Sequence, residues 1–172
     1  MTADVAKAAA ALFVAAILQV TLLSQINVFH GAPDLVLVTL VCVALLRGTI
    51  FGAVAGFGVG LVVDTATLQT LGVTSLLLTI AGYWIGRYGE TTGRDRSHAP
   101  FVSVAVVTLL YSIGALILHY MLGDPASASR VLLDAFPFEL IFNLILTLPV
   151  YALCRRLFRR APTGLEEVQL IG

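Results

Sequence analysis

Long apolar segments that alternate with short polar ones constrain this chain more than any other feature of its sequence. Six such segments occupy residues 6–24, 35–46, 49–67, 73–88, 100–121 and 137–158. About 20 apolar residues in a helix cross the roughly 30 Å hydrocarbon core of a bilayer. Only 12% of the residues are charged, against about 25% in soluble domains. The sequence therefore predicts an all-α fold, a polytopic membrane helix bundle with about six transmembrane helices.

The polar segments between the apolar ones are too short to fold separately. We therefore expect residues 1–160 to form a single transmembrane helical domain, followed by a flexible cytoplasmic tail over residues 161–172. Residues 35–46 are the shortest apolar segment. Counted from Pro33, a helix through this segment is only about 20 Å long, which leaves open whether it spans the whole membrane.

The positions of the cations predict how the bundle is oriented. If the amino terminus is cytoplasmic, alternating helices place nine cations on the cytoplasmic side and only Arg130 outside. Lys and Arg accumulate on the cytoplasmic side of membrane proteins. We expect a multi-pass inner-membrane protein with both termini in the cytoplasm. The nine cations are Lys7, Arg47, Arg87, Arg94, Arg96, Arg155, Arg156, Arg159 and Arg160.

A row of glycines at four-residue spacing begins before the third apolar segment and runs through it. Residues four apart lie on one inclined ridge of a helix. Glycine on such a ridge lets a second backbone approach closely, as in small-xxx-small helix pairs. The row therefore predicts either close packing within the bundle or a docking face for a helix of another protein. Its members are Gly48, Gly52, Gly56 and Gly60, and Asp64 occupies the next step.

Asp64 is an acidic residue inside an apolar segment, in its predicted outer third. A carboxylate at the middle of a membrane costs about 2.5–3.5 kcal/mol on insertion scales, and less near the interface. Two interpretations follow. Either Thr65, Thr67 or a neighbouring helix satisfies the carboxylate, or the carboxylate contacts an external partner or ligand.

Other polar residues are also predicted near the outer ends of the helices. On the last helix, Glu139, Asn143 and Thr147 recur at four-residue spacing, and Asp34 precedes the second helix. The row of the last helix, together with Asp64 and His119 and with the polar outer end of the first helix (Gln19, Thr21 and Ser24), either lines an outward-opening cavity or makes interhelical hydrogen bonds. Such bonds are worth about 0.6 kcal/mol each on average. The outer positions expected to contact a partner or ligand are Asp34, Asp64, Glu139 and Asn143.

The sequence contains no recognisable catalytic constellation. Its histidines, His30, His98 and His119, are isolated, and there is no HExxH, GxSxG or phosphate-binding loop. We therefore predict that the chain is not an enzyme and needs no metal or cofactor. A basic cluster follows the last apolar segment and is expected to bind anionic lipid headgroups rather than nucleic acid. It consists of Arg155, Arg156, Arg159 and Arg160.

Together these motifs resemble the MreD family of bacterial rod shape-determining membrane proteins. The resemblance covers residues from about 5 to 160 and is most specific between Pro33 and Gly72. It is carried by Pro33-Asp34-Leu35, by Leu45-Leu46-Arg47-Gly48, by the glycine row with Asp64, by Leu71-Gly72, and by Gly82-Tyr83 with Arg87.

The resemblance implies a non-enzymatic scaffold of the cell-elongation machinery, which builds peptidoglycan. Its implied partner is the single-pass protein MreC, and through MreC the MreB filaments and the peptidoglycan synthases. The alternative is the substrate-binding S-component of an energy-coupling factor vitamin transporter, also a small six-helix bundle. Such components dock through an Ala-xxx-Ala-xxx-Ala row on the first helix. Here Ala11 and Ala15 are followed by Gln19, so the row is incomplete.

Overall fold

The structure is a computed structural model that describes residues 2–21, 33–67, 71–92, 98–121 and 136–158. Within these ranges it contains six helices and no strand, so the predicted all-α fold is confirmed. Two helices, α3 and α6, are long and apolar enough to cross a membrane. The helices are α1 (Thr2–Thr21), α2 (Leu35–Arg47), α3 (Thr49–Thr67), α4 (Val73–Thr92), α5 (Ala99–Met121) and α6 (Phe136–Leu157).

The short helix α2 lies at the centre of the bundle and contacts each of the other five helices. Every residue from Val36 to Leu45 is buried. A helix that is apolar all round is expected in the interior of a bundle, because it has no polar face to give to a surface. With 13 residues, α2 is about 20 Å long and is thus shorter than the hydrocarbon core of a bilayer.

Only Gly48 separates α2 from α3. Its φ of 98° lies in the left-handed region, which glycine adopts without steric cost. The Gly48 N–H donates to the Ala44 carbonyl at 2.8 Å and so caps the end of α2. This tight connection sets α3 directly beside α2.

The structure differs from the sequence-based bounds at α1, which begins at Thr2 instead of residue 6, and at the end of α4. The apolar pattern predicts a helix over residues 73–88, followed by a polar loop that begins at Glu90. The structure continues α4 to Thr92 and places Glu90 on its last turn. The physical reason is that the Glu90 carboxylate binds the start of α3, which holds this turn against a neighbouring helix.

Both cysteines are buried and belong to the core cluster around α2. Cys42 lies on α2 and Cys154 on α6, and each is a free thiol. The carboxy-terminal tail over residues 161–172 lies outside the described residues.

Candidate functional site

The glycine row of α3 lies against α4. A Cβ placed on Gly52, Gly56 or Gly60 would collide with α4, meeting the Gly82 carbonyl, the Leu78 carbonyl or Ser75 respectively. The two backbones are therefore in direct contact along most of α3. Since α4 covers the row, this arrangement favours packing within the bundle over docking of a foreign helix on the same face.

A second glycine row, on α4, faces the first. A Cβ on Gly82 would meet the Gly52 carbonyl, and one on Gly86 would lie 2.5 Å from the Gly48 carbonyl oxygen. One turn further, a Cβ on Gly89 would lie 2.6 Å from the Leu45 carbonyl oxygen. Small residues thus line both sides of the α3–α4 contact. The four-residue spacing of Gly82 and Gly86 is the sequence signal for this second row.

Asp64 continues the glycine row of α3 and binds the start of α4. Its Oδ2 accepts hydrogen bonds from the backbone N–H groups of Gly72 (2.8 Å) and Ser75 (3.3 Å). Its Oδ1 accepts from the N–H of Thr74 at 3.3 Å. The first N–H groups of a helix have no partner within the helix, and a carboxylate there also interacts favourably with the helix dipole. Asp64 is fully buried, so its carboxylate is enclosed by the bundle.

The two threonines that the sequence offered as partners of Asp64 bind elsewhere. The Thr65 hydroxyl donates to the carbonyls of Leu61 and Val62, and the Thr67 hydroxyl donates to that of Val63. Of the two sequence-based interpretations, the geometry favours a carboxylate satisfied by a neighbouring helix.

Glu90 makes the matching contact at the other end of the same helix pair. Its Oε1 accepts from the backbone N–H of Thr49 at 2.8 Å, and its Oε2 accepts from the Thr49 hydroxyl at 2.7 Å. Thr49 is the first residue of α3. Glu90 also continues the spacing of Gly82 and Gly86, four residues further along α4. The sequence alone does not predict this role, because an acid next to a polar segment resembles an ordinary loop residue.

Three side chains hold the start of α2. Asp34 caps its own helix, since its Oδ1 accepts from the Leu37 N–H at 2.8 Å. Gln19 of α1 accepts from the Val36 N–H at 2.7 Å, and Asn143 of α6 accepts from the Asp34 N–H at 2.8 Å. Residues from three helices therefore meet at this end of α2 and satisfy backbone groups that would otherwise be buried without partners.

The polar row of α6 also turns inward. Asn143 and Thr147 are fully buried, and Glu139 is partly buried. The Asn143 Nδ2 donates to the Thr108 hydroxyl of α5 at 3.1 Å, while the Thr147 hydroxyl donates to the Asn143 carbonyl at 2.6 Å. Of the two sequence-based alternatives, the contact between Asn143 and Thr108 matches interhelical hydrogen bonding, whereas the Thr147 bond stays within α6. The side chain of His119 lies outside the described part of the structure.

Basic side chains gather at the end of the bundle where α2 and α6 end, opposite to the start of α2. Arg155 and Arg156 are exposed in the last turn of α6. Arg47, at the end of α2, has its guanidinium carbon 4.8 Å from the centroid of the Phe158 ring, within the range of a cation–π interaction. Arg159 and Arg160, the other two residues of the basic cluster, lie outside the described residues.

A groove of about 1070 Å³ runs along the surface between α1 and α3. Its walls include Ala9 and Phe13 on α1 and Val54 and Gly58 on α3. Gly58 is off the packed ridge, and a Cβ on it would meet no atom within 4 Å. The groove is thus an open, apolar surface feature with space beside Gly58.

Comparison with known families identifies the chain. A family model described as rod shape-determining protein MreD matches residues 7–158, which is nearly the whole described bundle. Comparisons with curated proteins and with solved structures give no significant match. Among the described residues, no group of three or more His, Cys, Asp or Glu side chains is arranged to hold a metal ion. The chain belongs to the MreD family of rod shape-determining membrane proteins.

Proposed function

We propose that this chain is a non-enzymatic scaffold of the bacterial cell-elongation machinery. It crosses the inner membrane six times with both termini in the cytoplasm and binds an MreC-like single-pass protein. Through that partner it is linked to MreB filaments and to the synthases that build peptidoglycan. The observation that carries the proposal is the family match over residues 7–158.

The hydrogen bonds that the polar side chains make support a scaffold function. Asp34, Asp64, Glu90, Gln19 and Asn143 each accept a hydrogen bond from a backbone N–H near the start of a helix. A catalytic group has to reach a substrate, whereas these groups are committed to holding helix ends in place. A bundle fixed in this way is rigid enough to present a constant surface to a partner.

The glycine contact limits where a partner helix can bind. Because α4 covers the α3 row, the foreign helix must lie on a lipid-facing surface outside the α3–α4 contact. Of the two sequence-based alternatives for the glycine row, the proposal keeps close packing within the bundle.

The geometry of α1 argues against the transporter alternative. Ala15 is 4% exposed, and Gln19 binds the start of α2. The edge of α1 that carries Ala15 and Gln19 therefore faces the bundle interior, where it cannot serve as an external docking row.

Depletion of the chain in its rod-shaped host tests the proposal. We expect rounded, widened cells that recover their rod shape when the chain is supplied again, and an MreC-like protein that copurifies with it. Depleted cells that keep their shape and need an added vitamin would instead favour the transporter function.

A further inference from the structure

The last turn of α6 carries two exposed arginines next to an apolar surface that is open to lipid. Of the 22 residues in α6, only three are buried. Leu148 is 61% exposed and Leu153 is 58% exposed, as expected of side chains that contact acyl chains. Arg155 and Arg156 follow them and are exposed as well. The apolar surface of α6 therefore ends in positive charge.

Two contacts hold this end of α6 against the bundle. The Arg47 guanidinium lies over the Phe158 ring, and the Phe158 N–H donates to the Cys154 carbonyl at 2.9 Å. Cys154 belongs to the core cluster around α2, and Phe158 packs against that cluster. The turn is thus fixed on the bundle, while the guanidinium groups of Arg155 and Arg156 stay on its surface.

Neither Arg155 nor Arg156 makes an ion pair with a carboxylate in the described part of the chain. Among the acidic side chains that the structure describes, Glu90 lies at this end of the bundle, and both of its oxygens bind Thr49. The others lie toward the opposite end and are Asp34, Asp64 and Glu139. The two guanidinium groups are therefore open to an anion from outside the bundle.

The density of positive charge sets this place apart from single arginines elsewhere in the chain. Arg159 and Arg160 follow in the sequence, so that four cations occur within six residues. A cluster of about 4–8 Lys or Arg directly on the cytoplasmic side of a membrane helix is typical of segments that bind anionic lipids. Arg87, on the last turns of α4, has no such neighbours in sequence.

A phospholipid matches this surface better than an acidic segment of another protein. The arginines adjoin side chains that face acyl chains, so a ligand on their guanidinium groups lies at the membrane surface. A phospholipid places its phosphate there and its acyl chains beside Leu148 and Leu153. Guanidinium groups bind phosphate through strong paired hydrogen bonds. An acidic protein segment would match the charge of Arg155 and Arg156 but not the apolar surface next to them.

We propose that Arg155 and Arg156 bind the phosphate of an anionic phospholipid of the cytoplasmic leaflet, whose acyl chains lie along the α6 surface that carries Leu148 and Leu153. The cytoplasmic location rests on the orientation given under the proposed function. The bound lipid neutralises the repulsion between the neighbouring arginines and holds the end of α6 at the membrane surface.

The test uses the full chain purified in detergent, with dioleoyl phosphatidylglycerol as the probe. Dioleoyl phosphatidylcholine, which has a phosphate but no net charge, is the comparison. Native mass spectrometry measures the lipid that the protein retains, and we expect phosphatidylglycerol to be retained in preference. The double variant Arg155→Gln/Arg156→Gln should lower its retention roughly 30-fold, because each arginine near an anionic lipid contributes about fivefold.

Two further variants serve as controls. Arg155→Lys/Arg156→Lys keeps both charges and should retain more phosphatidylglycerol than the glutamine variant does. Arg87→Gln removes one exposed arginine from a different helix and should leave retention nearly unchanged. Added inorganic phosphate distinguishes a lipid site from a site for free phosphate. It should not displace phosphatidylglycerol, because the acyl chains contribute to binding.

Four results would overturn the lipid site. The wild-type chain retains both lipids equally, Arg87→Gln lowers retention as much as the α6 glutamine variant does, inorganic phosphate displaces the lipid, or the glutamine variant keeps its lipid and loses an acidic copurifying protein. Cell shape separates this proposal from the proposed function. A chain that restores rod shape without retaining phosphatidylglycerol rejects only the lipid site, and one that retains it without restoring shape rejects only the scaffold.

Discussion

Asp64 of α3 caps the amino terminus of α4, and Glu90 of α4 caps the amino terminus of α3. Each acid ends a row of small residues on its own helix, at the same four-residue spacing. The ridge that brings the two backbones together therefore also carries the acid to the start of the partner helix. Because the helices are antiparallel, both dipoles receive a negative charge at their positive ends.

Removal of either cap should lower stability, and removal of both should lower it additively. A lost cap costs about 0.5–2 kcal/mol, and each kcal/mol corresponds to roughly 2–4 °C in a chain of this size. We expect Asp64→Ala to cost more than Glu90→Ala, because its three amide partners lie in a more buried place. The two sites are about 22 Å apart along α3, too far to couple. Thermal melting of the two single variants and the double variant measures these losses of stability.

Asp64→Asn is the control for the first cap. Asparagine keeps one acceptor oxygen, so Asp64→Asn should lose less stability than Asp64→Ala. A double variant no less stable than Asp64→Ala would contradict independent capping.

The glycine row and Asp64 were identifiable from spacing alone, because residues four apart share a ridge whatever they pack against. The sequence could not specify the partner of that ridge, since helix pairing depends on the whole bundle. It also could not show Glu90 as a cap. That role arises only when the end of α4 comes beside the start of α3, two positions separated by forty-one residues.

Alanine at two glycines of α3 should change stability in opposite directions. A Cβ on Gly56 would collide with the Leu78 carbonyl, whereas one on Gly58 meets no atom within 4 Å. We expect Gly56→Ala to cost about 1–3 kcal/mol through overpacking. Gly58→Ala should gain about 0.4–1 kcal/mol, because alanine restricts the unfolded chain more than glycine does. Melting temperatures of the two variants give the comparison, and equal values would remove the argument for a directional packed face.

The two fully buried members of the polar row of α6, Asn143 and Thr147, differ in whether they link helices. Asn143→Leu would leave the Asp34 N–H and the Thr108 hydroxyl without their partner, at a cost of about 1–3 kcal/mol. Thr147→Val should change stability by less than about 0.5 kcal/mol, since the Thr147 hydroxyl only donates to a carbonyl of its own helix. Both residues are fully buried, so burial alone predicts similar losses. Thermal melting distinguishes the two explanations.

The outer polar positions illustrate what an amphipathic pattern cannot reveal. Asp34 and Asn143 were recognised as unusual because a polar group in a membrane requires a partner. In the structure both side chains accept hydrogen bonds from backbone N–H groups at the start of α2, and Asn143 also donates to Thr108. Sequence spacing places side chains on a face but carries no information on which backbone groups a neighbouring helix leaves unsatisfied.

The orientation of the bundle can be tested at two exposed residues. The excess of cations on one side predicts that Thr91, near the end of α4, faces the cytoplasm and that Met121, at the end of α5, faces outward. In a background with Cys42→Ala and Cys154→Ala, we expect Met121→Cys to react with a membrane-impermeant maleimide in spheroplasts. Thr91→Cys should react only after the membrane is permeabilised. Labelling of Thr91→Cys in sealed spheroplasts would reverse the proposed orientation.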